Sequence, residues 1–289
     1  MPHGFVNVYK PAGMTSQQVV QRIRRLTHER HVGHAGTLDP DATGVLPIAV
    51  GQYTRLLEWA SLTPKVYRAH IVFGHLTHSG DQSGMVVGES GPPFPERDSM
   101  AEALRWLTGD ILQFPPQVSA LKQQGRRAYD MVRRGHSVWL DPRVTHIDSI
   151  TILDGAGRRW YVEAVVGSGT YIRALARDAG FIIGHAAALE SLERTRVGKF
   201  SVDEAWTLGE LEAEEGRWRD ALVFGPQMLD IAAHPVTSSE AESLRRGKSE
   251  GIPALREKGP VALFCDGEIV AVVDGPPWRF RKVLVKDEE

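Results

Sequence analysis

The chain has 289 residues, of which 42% are hydrophobic and 24% are charged, and its formal net charge is −2. This composition is typical of a globular protein with room for one large domain and one small domain. The single cysteine excludes an intramolecular disulfide and a cysteine-rich metal site, and the absence of an apolar run of about 18 residues predicts no membrane span.

The first half of the chain contains two clear periodic patterns. Apolar residues at helical spacing predict a helix over 16–28, with Ser16 as its cap. Alternation over 65–73 predicts a strand. Residues 74–95 are rich in Gly, Ser and Pro, which predicts a long loop, and Asp98 is then expected to cap a second helix.

A strand, a glycine-rich turn and a helix follow in the second half, at 160–166, 167–170 and 171–179. Such a turn can present backbone N–H groups to an anion. The full dinucleotide and P-loop patterns are both missing, so a plain tight turn is the favoured interpretation.

The end of the chain has the pattern of a small β-rich module. A short helix is expected over 238–246, and Asp266-Gly267 joins two apolar runs in the manner of a tight hairpin. A further strand is expected over 279–285.

The element order predicts an α+β fold. Strands and helices do not alternate regularly, which favours a mixed, mainly antiparallel sheet with flanking helices over a doubly wound parallel sheet. We expect a catalytic domain at 1–226 and a β-rich domain at 230–289. The N-terminus lacks the pattern of a signal peptide, and we therefore expect a cytoplasmic protein.

Charge is unevenly distributed despite the near-neutral total. Between Ser119 and His146, six basic residues stand against two acidic ones. Such a stretch can contact phosphates, but it can equally be a solvated surface, and charge alone does not decide between them.

Metal and hydrolase patterns are missing. His75 and His78 lie near Asp81, but in a Gly/Ser-rich segment, where solvated histidines are the favoured interpretation. No H-E-x-x-H or G-x-S-x-G pattern occurs.

The segment GHAGTLDPDATGVLP, at 33–47, is unlike a regular element. It holds three glycines, two prolines and two aspartates, and such punctuation fixes the shape of a loop. Asp39 and Asp41 are therefore candidates for a site, although the composition alone favours turn residues that bond their own backbone.

Five other segments are considered together with this one. In chain order they are KPAGMTS at 10–16, KVYRA at 65–69, FPPQVSALKQQGRRAY at 114–129, GTYIR at 169–173 and LERTRVGKF at 192–200. Together with GHAGTLDPDATGVLP, they resemble the motifs of the TruB family of bacterial tRNA pseudouridine-55 synthases. The resemblance covers about the first 200 residues. The β-rich tail resembles, more weakly, a PUA-type RNA-binding module.

The resemblance implies the pseudouridine synthase fold and a role for each matched residue. Asp39 would be the catalytic carboxylate, Arg173 would lie beside it and favour its ionised form, and Tyr67 would stack on the target base and take part in proton transfer. His34 would fill the gap left by the flipped base. Further substrate contacts are implied for the base pocket and for an RNA-gripping insertion at about 115–145: Tyr171, Leu192, Lys122, Arg126 and Arg127.

The implied reaction isomerises a tRNA uridine to pseudouridine without a cofactor or metal, with the T-arm as the bound RNA. A monomer without an obligate protein partner is expected. The alternatives are a guide-RNA-dependent synthase acting on ribosomal RNA, a tRNA-binding folding helper without catalysis, and a metal-dependent hydrolase.

Overall fold

The computed structural model describes the residues 3–116, 122–123, 126–127, 140–214 and 216–285. The chain divides into two compact units: the first comprises 1–40, 44–62 and 198–289, and the second comprises 41–43 and 63–197.

The strands, in chain order, are β1 (Gly4–Lys10), β2 (Val32–His34), β3 (Thr43–Val50), β4 (Lys65–Phe73), β5 (His75–Thr77), β6 (Val86–Glu89), β7 (Gly109–Gln113), β8 (Lys122–Gln123), β9 (Arg126–Arg127), β10 (Arg143–Ala156), β11 (Arg159–Val166), β12 (Ala187–Val197), β13 (Phe200–Ser201), β14 (Trp206–Thr207), β15 (Leu222–Val223), β16 (Ala232–Pro235), β17 (Val261–Cys265), β18 (Glu268–Asp274) and β19 (Arg279–Val283). The α-helices are α1 (Ser16–Thr27), α2 (Arg97–Trp106), α3 (Ile172–Ile183), α4 (Leu208–Glu212) and α5 (Ser238–Arg245).

The sheet of the first unit is centred on β1. Strand β3 runs antiparallel to it along its whole length, with Gly4 opposite Val50 and Lys10 opposite Gly44. On the other side, β14 is parallel and β15 is antiparallel to β1. Strand β2 extends the sheet beyond β3.

Helix α1 packs its apolar stripe against this sheet. Val19, Val20 and Ile23 are almost fully buried in one cluster with side chains of β1 and β3. The helix is capped by Thr15, whose Oγ1 accepts from the Gln18 N–H at 3.1 Å. The prediction that Ser16 caps the helix is therefore wrong, because Ser16 turns inward and is 2% exposed.

The sheet of the second unit is antiparallel and has the strand order β12, β4, β11, β10, β7. The predicted strand over 65–73 is confirmed as β4, and the side chains of Tyr67, Ala69, Ile71 and Phe73 are buried on one face. Apolar side chains of β11 are buried as well, including Trp160 and Val162. Helix α3 packs against β12 and β4.

Two local predictions in this unit are corrected. Residues 74–95 are not one loop, because β5 and β6 pair there as a short hairpin. Helix α2 is preceded by Glu96 and not capped by Asp98, which instead lies in its first turn. An acidic residue there is favourable for the helix dipole, and this explains the sequence signal.

The small sheet near the C-terminus has the order β16, β17, β18, β19. The β17–β18 hairpin turns at Asp266 and Gly267, both with positive φ, as the sequence predicted. Its core contains Leu244 of α5, Leu263 and Val270.

The Thr15 cap yields a stability prediction. Thr15→Ala removes the acceptor for the Gln18 N–H, and we expect the free energy of unfolding to fall by about 1 kcal/mol, measured by urea denaturation. Gln17→Ala, at an exposed neighbouring position, is the control and should change it by less than about 0.5 kcal/mol. Equal values for both variants would contradict the cap.

Candidate active site

The loop that carries Asp39 is fixed through the backbone of its neighbours. Ser16 Oγ accepts from the Leu38 N–H at 2.9 Å and donates to the Leu38 carbonyl at 3.1 Å. The Gly13 N–H donates to the Pro40 carbonyl at 2.9 Å. The residues before and after Asp39 are thus both held, while Asp39 itself is half-buried.

A buried cation completes this arrangement. Lys10 is 0% exposed, and its Nζ donates to three carbonyls: Pro40 at 2.8 Å, Pro11 at 2.8 Å and Met14 at 2.6 Å. A buried charge is tolerated only where hydrogen bonds replace its hydration. The ammonium therefore joins the 10–16 segment, KPAGMTS, to the Asp39 loop.

The other polar residues of GHAGTLDPDATGVLP differ in burial. His34 is half-buried at the end of β2, opposite Ile48 of β3. Asp41 is exposed, which agrees with a turn residue. Asp39, which is half-buried, and Asp41 therefore differ in their exposure to solvent.

Two candidate residues of the second unit lie on its sheet. Tyr67 is 7% exposed and pairs across the sheet with Ala164 of β11 and Arg194 of β12. Leu192 is partly buried on β12. Packing in the sheet therefore holds the Tyr67 ring.

Cations adjoin Tyr67 on this sheet. Arg194 is 1% exposed. Burial lowers the pKa of Lys65, and the nearby charge of Arg194 lowers it further. The strand that carries Tyr67 therefore begins at a partly buried lysine, and a buried arginine lies opposite Tyr67 on β12.

Arg173 is a second buried cation of this unit. It lies in the first turn of α3 and is 6% exposed. Its Nη1 donates to the Ser79 carbonyl at 3.0 Å and lies 3.5 Å from Oδ2 of Asp81. The β5–β6 hairpin, which the sequence predicted only as loop, therefore supplies two partners of this guanidinium.

A cavity of about 390 Å³ opens beside Arg173 within the second unit. Its walls combine polar and apolar groups, among them Thr77, His78, Gly80, Phe114 and Arg177. Tyr171 and Leu192, which the resemblance assigns to the base pocket, are not among the residues that line this cavity.

Tyr171 is held just before α3. Its N–H donates to Gln113 Oε1 at 2.8 Å, and its carbonyl accepts from Gln113 Nε2 at 3.1 Å. Gln113 is 2% exposed. This buried amide fixes the backbone two residues before Arg173.

The basic insertion is described only in part. The backbones of Lys122, Arg126 and Arg127 lie in the antiparallel pair β8–β9, but their side chains lie outside the described part of the chain. The segments 117–121, 124–125 and 128–139 are not described either.

No group of three or more His, Cys, Asp or Glu side chains is placed to hold a metal ion among the described residues. His78 accepts from the Met85 N–H through Nδ1 at 3.0 Å, while Asp81 accepts from two serines.

No helix in the described ranges is both long and apolar enough to span a membrane.

Several polar residues that hold the candidate residues of the two units were not assigned this role from sequence: Lys10, Ser16, Ser79, Asp81, Ser83 and Gln113. The KPAGMTS pattern singled out Lys10 and Ser16 but gave no partner for either. Asp81 was weighed only as a metal ligand with His75 and His78. A buried arginine needs an acidic or carbonyl partner. This requirement is the feature from which Ser79 and Asp81 could have been expected near Arg173.

The fold is that of solved pseudouridine synthases. A chain of the crystal structure of a Cbf5-Nop10-Gar1 complex matches with a TM-score of 0.68 at 25% identity, covering 94% of this chain and 78% of that chain. A chain of the H/ACA RNP bound to a substrate RNA containing 2′-deoxyuridine matches with a TM-score of 0.70 at 23% identity, covering 98% and 85%. These similarities confirm the predicted fold class.

Sequence comparison then identifies the family. The family model for the N-terminal domain of TruB family pseudouridylate synthases matches residues 24–172. The tRNA pseudouridine synthase B of Thermobifida fusca is 41% identical over 99% of both chains. That of Moorella thermoacetica is 40% identical over 99% of this chain and 98% of its own. The chain belongs to the TruB family.

Lys10→Met tests the buried ammonium. The change leaves three carbonyls without their donor, and we expect the free energy of unfolding to fall by roughly 1–3 kcal/mol. Urea denaturation measures it. Lys258→Met, at an exposed lysine, is the control and should have little effect. If both variants are equally stable, the ammonium does not support the loop.

Proposed function

We propose that this chain is a tRNA pseudouridine synthase that isomerises the T-loop uridine at tRNA position 55, without a cofactor. The observation that carries the proposal is the half-buried carboxylate of Asp39, in a loop whose backbone is held on both sides by Ser16, Gly13 and Lys10. Relatives that match nearly the whole chain support the substrate class, because they carry the name tRNA pseudouridine synthase B.

The chemistry requires an ionised carboxylate more than any other group. The N1–C1′ bond of the uridine breaks, the uracil turns, and C5 bonds to C1′. The C5 proton leaves, and N1 takes up a proton. Asp39 supplies the carboxylate, either by attack at C1′ or by promoting elimination to a glycal. No electrons and no groups are exchanged with a second reactant, so the overall reaction balances without a cofactor.

Arg173 and Tyr67 serve the same reaction in this proposal. The guanidinium of Arg173 favours the ionised form of the catalytic carboxylate, and Tyr67 stacks on the uracil and takes part in proton transfer. The partners of Arg173 in the β5–β6 hairpin support a fixed orientation for it.

RNA binding in this proposal uses several parts of the chain. His34 fills the gap that the flipped base leaves. Unstacking this base costs about a few kcal/mol, which contacts in the pocket offset. Tyr171 and Leu192 line the base pocket.

Lys122, Arg126 and Arg127 contact phosphates. The domain at 230–289 binds RNA as a PUA-like module, and the catalytic domain comprises 1–226.

We further propose that the protein acts as a cytoplasmic monomer without a guide RNA or obligate protein partner. An assay of the purified chain on a T-arm stem-loop, with no guide RNA, tests this directly. Dependence on added guide RNA would favour the ribosomal branch, and loss of activity with a chelator would favour a metal-dependent enzyme.

Asp39→Asn is the main test of the proposed function. The change keeps the size of the side chain but removes its charge, and we expect pseudouridine formation to fall by more than about a thousandfold while tRNA binding persists. Tritium release from tRNA labelled at uridine C5 measures the reaction, and filter binding measures affinity.

The exposed neighbour Asp41 offers a matched control, and Asp41→Asn should retain activity. Substantial turnover by the Asp39 variant would exclude its catalytic role. The same Asp39 variant in a tRNA refolding assay shows whether a folding-helper role accompanies catalysis.

The proposed phosphate contacts have a separate signature. Replacing Lys122, Arg126 and Arg127 by Ala should weaken tRNA binding and reduce the slope of log Kd against log salt by about 2 to 3, since each phosphate contact contributes about 0.7–0.9. Arg97→Ala with Arg105→Ala, at exposed positions of α2, is the control. An unchanged salt slope in the triple variant would contradict this role.

A further inference from the structure

The hairpin that faces Arg173 holds an unusually well-bonded carboxylate. Oδ1 of Asp81 accepts from Ser79 Oγ at 2.8 Å, from the Ser83 N–H at 3.0 Å and from Ser83 Oγ at 2.5 Å. Each carboxylate oxygen has about two lone-pair sites. Three donors therefore occupy Oδ1 fully, and the carboxylate cannot rotate without losing them.

The second oxygen points the other way. Oδ2 of Asp81 lies 3.5 Å from Nη1 of Arg173, and that same Nη1 donates to the Ser79 carbonyl at 3.0 Å. Ser79 thus contacts the guanidinium through its carbonyl and orients the carboxylate through its hydroxyl. The two oxygens of Asp81 have separate partners: Oδ1 binds the serines, and Oδ2 faces the arginine.

The backbone around this group is fixed as well. The Gln82 N–H donates to the Leu189 carbonyl at 3.1 Å, and the Leu189 N–H donates to the Gly80 carbonyl at 2.9 Å. Thr77 Oγ1 donates to the Asp81 carbonyl at 2.6 Å. Asp81 is therefore anchored to β12, and its side-chain orientation remains for the two serines to set.

Gly84 is part of the same arrangement. A Cβ at this position would lie 2.2 Å from Ser79 Oγ. Any larger residue at 84 would therefore push the Ser79 hydroxyl from its place. The turn leaves room for the Ser79 hydroxyl beside the carboxylate.

We propose that Ser79 and Ser83 are positioning residues for the isomerisation. By saturating Oδ1 they hold Oδ2 of Asp81 towards Arg173, and in this way they fix the direction of the guanidinium. The inference rests on the proposed catalytic role of Arg173. A displacement of about 1 Å in a catalytic group can cost a hundredfold in rate, so hydroxyls that do not touch the RNA can still control turnover.

Removal of both hydroxyls tests the proposal. For Ser79→Ala with Ser83→Ala, we expect kcat to fall about tenfold, while KM, the Kd for the T-arm stem-loop and Tm stay near the wild-type values. Ser83→Thr keeps the hydroxyl and should retain kcat within about twofold. Ser99→Ala is the matched control, because Ser99 is an exposed serine whose Oγ donates to the Glu96 carbonyl.

A double-mutant cycle separates positioning from general structural support. In an Asp81→Ala background there is no carboxylate to orient, and the two serine changes should alter the single-turnover rate by less than about twofold. The single-turnover rates of these slow variants remain measurable when the reaction is followed over hours. An undiminished effect in that background, an unchanged kcat in the wild-type background, or a loss of kcat that tracks Tm would each overturn the inference.

The proposed function fails in a different way. If it is wrong, the wild-type chain forms no pseudouridine, or Asp39→Asn remains active. If only the present inference is wrong, the wild-type chain is active and Asp39→Asn is inactive, but the serine variants behave like Ser99→Ala.

Discussion

The candidate catalytic loop depends on the hydrogen bonds that the Lys10 ammonium donates. A charge with no exposure to solvent is stable only if its hydrogen bonds are complete, and three backbone carbonyls complete them here. Those carbonyls come from the turn before α1 and from Pro40. The chain therefore cannot bury Lys10 without also placing the residue that follows Asp39.

The second unit uses a comparable constraint with another chemistry. Arg173 is also buried, and a carbonyl and a carboxylate of the β5–β6 hairpin face its Nη1. A guanidinium is planar and keeps its charge, so its direction is set by the atoms around it. Backbone carbonyls hold Lys10. The direction of Arg173 depends in part on the carboxylate of Asp81, which must itself be oriented.

Sequence patterns predicted the elements whose two faces differ. Alternation identified β4 and β11, and the Asp266-Gly267 pair identified the β17–β18 hairpin. Strand β3 was not predicted, because it is buried on both faces and contains Pro47. Strand β12 was missed, because its charged residues obscure the alternation and its pairing with β4 is irregular.

The candidate site shows the same limit at the level of single side chains. Thr15 and Ser16 are adjacent hydroxyl residues that could each cap α1, and local chemistry does not choose between them. Burial decides: Thr15 caps the helix, and Ser16 bonds both backbone groups of Leu38. Family resemblance identified the candidate residues but not the groups that hold them.

Three aspartates in turns differ in what surrounds their carboxylates. Asp41 is exposed, Asp39 is half-buried in a loop held by Lys10 and Ser16, and Asp81 has one oxygen bonded by serines and the other facing Arg173. All three lie among glycine, proline and serine, so composition assigns them alike to turns. They differ because folding brings Arg173 to one oxygen of Asp81, and brings Lys10 and Ser16 to the backbone on either side of Asp39. These contacts are visible only in three dimensions.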